Sequence, residues 1–280
     1  MRLARNTVCV ITGAGSGIGR ALAIELGREG CALALADKDA HNVATTAADA
    51  KKAGAGTVST HAVDVADLAG MTEFRDEVRQ AHSRVQLLIN NAGVALAGEL
   101  EETSVDDMHW LVAINFWGVV YGTRLFLPLL RQQREAQIVN ISSIFGIMAV
   151  AGQATYAASK FAVRGFSEAL RHELGDTAIR VTTVYPGGVR TNIARSARMP
   201  GKVDSKRRDA LIARFDALAR TTPKAAAERI VRGIKRGQQR IIVGPDAKLA
   251  AALAWLLPVR YWMIVDRLLV PKALRKTRKR

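Results

Sequence analysis

The run Val8-Cys-Val-Ile-Thr12 passes directly into Gly13-Ala-Gly-Ser-Gly-Ile-Gly19, and an amphipathic stretch, Ile18–Glu29, follows at once. A short, mostly β-branched run of this kind reads as a strand buried on both faces. Glycines placed straight after such a strand let the chain turn sharply and bring backbone N–H groups close to a pyrophosphate. The N-terminus of the following helix attracts the same anion. The spacing is T-G-x-x-x-G-x-G through Gly13, Gly17 and Gly19, which differs from G-x-G-x-x-G. The first turn of the chain is thus a candidate phosphate cradle.

Short β-branched runs then alternate with longer helical patterns. The strands expected after Val8–Thr12 are Ala32–Ala36, Thr57–Val63, Gln86–Asn90, Gln137–Ser142, Arg180–Val184 and Arg240–Val243. Between them lie amphipathic stretches at Ile18–Glu29, His41–Ala53, Asp67–His82, Ser104–Arg134, Gln153–Leu174 and Pro223–Arg236. Seven strands with intervening helices describe an α/β fold, a Rossmann-like doubly wound parallel sheet with helices on both faces. No repeat or low-complexity linker interrupts residues 1–194. The expected organisation is a catalytic domain over 1–245, with a lid segment at 192–218, and a helical extension at 246–280.

The second strand runs into Asp37, where a carboxylate can accept hydrogen bonds from the hydroxyls of an adenosine ribose and would repel a 2′-phosphate. Lys38 can soften that repulsion, and Ser16 offers a phosphate no positive charge. NAD is therefore preferred over NADP. Tyr156-Ala-Ala-Ser-Lys160 lies early in a helical pattern, and the four-residue spacing puts both side chains on one face. A free tyrosine is too weak a base at neutral pH, and a neighbouring ammonium favours its phenolate. The pair alone is poor evidence, since a Y-x-x-x-K arises by chance with probability roughly 0.2 in such a composition. Its companions carry the argument. Ser143 follows a strand end, Asn90-Asn-Ala-Gly93 closes the fourth strand, and Asn115 interrupts an apolar helix. Tyr185-Pro-Gly-Gly188 with Thr191 closes the sixth strand.

In these elements, which span residues 12–191 in order, the chain resembles the single-domain short-chain dehydrogenase/reductase family. The resemblance implies that Tyr156 is the general acid/base and that Lys160 depresses the tyrosine pKa and holds the nicotinamide ribose. Ser143 would hydrogen-bond the substrate oxygen, and Asn115 would hold a water linking Lys160 to solvent. The implied cofactor contacts are Gly13, Ser16, Gly17, Ile18, Gly19, Asp37, Asp64 and Val65 near the adenine, and Asn91 along the adenosine ribose. Gly93, Tyr156, Lys160, Pro186, Gly187, Val189 and Thr191 complete them, with no metal. Ser142 adjoins Ser143 but points the other way along the strand and reads as structural. A homodimer or homotetramer, paired through Ser104–Arg134 and Gln153–Leu174, is implied by resemblance only.

The pocket walls expected around Tyr156 are Val94-Ala-Leu96, Ile144-Phe145, Ala149-Val150, Gln153 and Val189. They hold no charge cluster, which suits a small apolar secondary alcohol or ketone of lipid-, steroid- or retinoid-like character. Basic residues of the lid (Arg195, Arg198, Lys202, Lys206, Arg207, Arg208, Arg214) are either solvated or meet an acyl carboxylate or a CoA phosphate, which leaves an acyl-thioester reductase open. A non-catalytic cofactor-binding scaffold or sensor is the other alternative, because fold alone does not give function.

Charge divides the chain sharply. Residues 1–194 carry 18 basic and 19 acidic side chains, and residues 195–280 carry 23 and 6. Most of the excess in the second part surrounds or follows the lid, and the chain ends on Lys272-Ala-Leu-Arg-Lys-Thr-Arg-Lys-Arg280. Leu249, Leu253, Leu256 and Leu257 form an apolar stripe, flanked by Trp255, Tyr261 and Trp262. Pro258, Arg260, Asp266 and Arg267 argue against a membrane span. Two readings stay open: docking of 246–280 against the protein, and peripheral membrane contact. Nucleic acid is disfavoured, because no aromatic-interleaved basic platform is present. Met1–Asn6 precedes an apolar run too short for a signal peptide, so a cytoplasmic location, with possible membrane contact, is expected. Cys9 and Cys31 read as buried structural thiols. The five scattered histidines read as solvated.

Overall fold

The computed structural model describes Met1, residues 3–199 and residues 205–269. In chain order its elements are β1 (Val8–Thr12), α1 (Gly17–Arg28), β2 (Ala32–Asp37), α2 (Ala40–Ala53), β3 (Val58–Ala62), α3 (Leu68–His82) and β4 (Leu87–Asn90). Then follow α4 (Val105–Val112), α5 (Gly118–Arg131), β5 (Ala136–Ile141), α6 (Ala154–Glu173), β6 (Ile179–Pro186) and α7 (Ser205–Leu218). The last are α8 (Pro223–Lys235), β7 (Arg240–Val243), α9 (Pro245–Leu256) and α10 (Tyr261–Leu269). The polybasic end Lys272–Arg280 and Lys202 lie outside the described residues, as do the side chains of Lys206, Arg207 and Arg214.

All seven strands pair in parallel in the order β3-β2-β1-β4-β5-β6-β7. Alternation along β1 shows why. Cys9 and Ile11 join Leu22, Leu26 and Ile230 in a core beneath α1 and α8, while Val8 and Val10 join Met71, Phe74 and Phe126 on the opposite face. Each central strand therefore feeds two helical layers, which requires apolar residues at every position. The edge strand β3, Val-Ser-Thr-His-Ala, has one covered face and is mostly polar. The order reverses between β1 and β4, and ligand crevices of such sheets open where it does.

The helix expected across Ser104–Arg134 is not regular. A π-helical turn, Ala113–Trp117, separates α4 from α5. Among the described residues, Val105–Arg131 is the one helical stretch long and apolar enough to cross a membrane. Phe126, Leu129 and Leu130 in its second half pack on the sheet instead.

Two histidines depart from expectation. His61 and His82 are 8% and 7% exposed, far from solvated. Ser59 Oγ lies 2.8 Å from Nε2 of both, and His61 Nδ1 lies 2.6 Å from Glu77 Oε2. Cys9 and Cys31 are buried, as expected, and the Cys9 thiol donates to the Thr7 carbonyl at 3.6 Å.

Candidate active site

The turn after β1 needs glycine. Gly13 and Gly17 have φ of +64° and +53°, a region side chains rarely enter. Asn91 clamps this turn to the end of β4. Its Nδ2 donates to the carbonyls of Thr12 (3.0 Å) and Gly13 (2.9 Å), and its own N–H donates to Thr12 Oγ1 (3.1 Å). The Asn91 amide hydrogens are thereby committed to the turn. Ser16 precedes α1 without capping it, and no acidic residue lies in the first turn. A helix start without a capping side chain or a carboxylate suits a diphosphate.

Asp37 stands beside the turn. Its Oδ2 accepts the Gly15 N–H at 2.8 Å and its Oδ1 accepts the Asp39 N–H at 3.0 Å. Each oxygen retains a lone pair for a ribose hydroxyl. Lys38 leaves Asp37 and pairs with Asp64 at 2.8 Å. Burial pushes the Asp64 carboxyl up, and hydrogen bonds from Lys38 and the Ala66 N–H more than reverse this, so its pKa falls below the usual range. Val65 is buried against Gly118 at the start of α5. Ile18 packs partly into the core, and the Thr191 methyl faces Gly17 across the cleft. Val189 is buried and bridges to Thr221.

One brace in this half was missed in the sequence. Asp246, in the first turn of α9, accepts the Gly188 N–H at 2.6 Å and crowds Gly187. The turn after Pro186 is thus held by a residue beyond the expected boundary at 245.

At the other half, β5 ends on Ser142 and Ser143. Ser142 Oγ donates to the Lys160 carbonyl at 2.8 Å, fastening the strand end to α6. Ser143 starts a 3-10 turn, Ile144–Gly146, where its hydroxyl accepts the Phe145 N–H at 3.2 Å and stands beside Tyr156. Lys160, 3% exposed, donates to the Ile141 carbonyl at 3.3 Å, and its Nζ lies 5.8 Å from the Tyr156 ring centroid. Asn115, in the π-helical turn, accepts the Val94 N–H (2.8 Å) and donates to the Val94 carbonyl and to Ser159. Gly93 lies between these groups. A Cβ there would sit 3.2 Å from Asn115 Oδ1 and 3.3 Å from Lys160 Nζ, so a side chain would crowd the space on which the two converge.

Burial raises the Tyr156 phenol pKa, and the Ser143 hydroxyl beside it only partly opposes this. Burial also lowers the Lys160 pKa, to about 8.

The wall beside Tyr156 is apolar: Leu96 and Leu111 pack on it, with Val94, Ala95, Trp110 and Phe145 around them. The lid crosses this wall. Arg198 pairs its backbone with Ala95 and Ala97, lays its guanidinium on Trp110 (3.7 Å) and bonds Asp107 at 3.1 Å. Arg195 bonds Asp216 at 2.7 Å, and Arg208 donates to the Arg195 carbonyl. These three arginines are exposed, and each also bonds within the lid or its wall.

Comparison with known proteins accords with this geometry. The short chain dehydrogenase family profile matches residues 7–201. SadH of Mycobacterium tuberculosis, named as an oxidoreductase, is 41% identical over 261 residues, covering 92% of this chain and 93% of that protein. A short-chain dehydrogenase/reductase from Burkholderia phymatum, solved in complex with NAD, superposes with a TM-score of 0.83 at 30% identity over 91% of this chain and 95% of its own. An alcohol dehydrogenase from Thermococcus sibiricus, complexed with 5-hydroxy-NADP, has a TM-score of 0.73 at 25% identity over 85% and 96%.

Proposed function

From the premise that the chain belongs to the short-chain dehydrogenase/reductase family and is an NAD(P)-dependent oxidoreductase, we propose that it uses NAD to interconvert an apolar secondary alcohol and its ketone. The observation that carries this reading is the convergence of Ser143, Tyr156 and Lys160 beside an apolar wall at the strand-end cleft.

The nicotinamide, when bound, supplies or accepts the hydride. The protein manages the rest. Ser143 orients the substrate oxygen toward the Tyr156 hydroxyl. That hydroxyl gives its proton to a ketone oxygen, or as phenolate takes one from an alcohol. Lys160, with a pKa of about 8, exchanges protons near neutrality behind the tyrosine and would hold ribose hydroxyls. The α1 start would hold the diphosphate, and Asp37 the adenosine ribose. Asp37 is also the argument for NAD, because its carboxylate would repel a 2′-phosphate and Lys38 is paired with Asp64. The engagement of Arg195 and Arg198 within the lid favours an uncharged substrate over an acyl thioester. The same reading includes a homo-oligomer through α4–α5 and α6, where Trp117, at the end of the π-helical turn, and Phe161 are exposed.

Tyr156→Phe is the test, assayed with NAD and NADP against apolar alcohols, polar sugars and acyl thioesters. The variant is expected to bind NAD normally and to lose about 10²-fold or more of the rate. A near-normal rate overturns the assignment of Tyr156. Activity confined to sugars or thioesters overturns the substrate class.

A further inference from the structure

We propose that the outward face of α9 and α10 seats on an anionic lipid surface. α9 is packed inside out. It buries Ala247 and Ala251, one turn apart, and turns its large apolar residues to solvent: Leu249 is 72% exposed and Trp255 81%. Val259, between the helices, is 86% exposed, and Leu256, Met263 and Ile264 extend the same surface. Among the described residues twelve large apolar side chains are exposed, and six of them fall between Leu249 and Ile264. Contiguous exposure of this kind marks a docking surface.

Charge selects the occupant. Exposed Lys248 and Arg260 stand within the apolar surface. The segment 246–280 carries nine basic and two acidic side chains, six of the basic ones in Lys272–Arg280. A second copy of this chain on the same face would oppose two strongly cationic segments, and like charges there resist association. A bilayer with acidic headgroups satisfies both properties at once: apolar side chains, tryptophan included, enter the headgroup boundary, and the cations lie on the anionic surface.

The seat is tied to the active site. Tyr261, at the start of α10, accepts the Ala149 N–H at 2.9 Å and donates to the Ala149 carbonyl at 3.1 Å. Ala149 lies in the loop joining the Ser143 turn to α6. Docking would therefore hold this lip of the cleft at the lipid surface. Docking itself is independent of the substrate; entry of an apolar substrate from that side rests on the function proposed above.

The full chain and a Trp255→Ser/Val259→Ser variant are sedimented with vesicles of phosphatidylcholine alone or mixed with phosphatidylglycerol, at low and high salt and without substrate. The wild type is expected to bind the mixed vesicles, less so in high salt, and the variant to bind about tenfold more weakly. Turnover of a short, water-soluble alcohol by the variant should stay within about twofold, showing that it is folded. Absence of sedimentation, equal binding to neutral vesicles, or equal binding by the variant overturns the proposal. A loss of oligomer mass confined to the variant places a second copy on this face and overturns it too. None of these readouts depends on which substrate the enzyme prefers.

Discussion

The Lys160 nitrogen lies 5.8 Å from the centre of the Tyr156 ring and donates to the Ile141 carbonyl, with no ion pair to a carboxylate among the described residues. A cation held in this way is a liability to the fold. It is buried by the same packing that keeps water from the tyrosine, and the depressed pKa measures the cost.

Moving the lysine pKa from 10.5 to about 8 corresponds to about 3 kcal/mol of folding free energy below pH 8. The unfolded chain binds this proton more tightly, so the lysine's contribution to stability improves as pH rises from about 8 toward 10.5. Lys160→Met removes the charge with little change of volume. Thermal unfolding at pH 7 should occur roughly 5 °C higher than in the wild type, while turnover collapses. A lowered Tm would show that the hydrogen bond to Ile141 outweighs the desolvation.

The brace from Asp246 to Gly188 predicts a selective defect. Asp246→Ala should raise the KM for NAD by about tenfold and leave kcat within about twofold, because the lost group positions the turn after Pro186 and touches no reacting atom. Asp246→Asn keeps an acceptor at that place and should restore most of the affinity. Equal losses in kcat and affinity would mean that the turn has a direct part in the chemistry.

The histidine pair predicts acid sensitivity remote from the active site. His61 gives its Nδ1 proton to Glu77, so its Nε2 accepts from Ser59, whose oxygen accepts in turn from His82. Burial, and then the nearness of His61, lower the His82 pKa below 6.5. With a depressed folded pKa, stability is held above about 6.5 and lost as pH falls toward the folded value. Thermal melts should show a progressive drop below pH 6.5, and His82→Gln should flatten it. A wild-type profile with no such drop would refute the assignment.

Motifs that act locally were readable in the chain. The glycine turn, Asp37 and the Ser143/Tyr156/Lys160 set follow from spacing, because a strand end and a helix face each impose a period. Contacts between distant segments were not. Asn115 in an apolar run marked an interruption of the long helix, but its π-helical form is not encoded in the spacing. Nothing local links Ser59 to His82, or Arg198 to Trp110. The direction of the Tyr156 shift depends on desolvation, which no spacing records.

The residues after β7 are threaded into the mouth of the cleft at two points, Asp246 on one side and Tyr261 on the other. If the lipid seat proposed above holds, address and chemistry in this chain are not inherited separately. A chimera that grafted another C-terminal segment onto these strands would exchange cofactor affinity and the shape of the entrance along with any cellular destination. Divergence in that segment between related enzymes would alter kinetics even where every reacting group is retained.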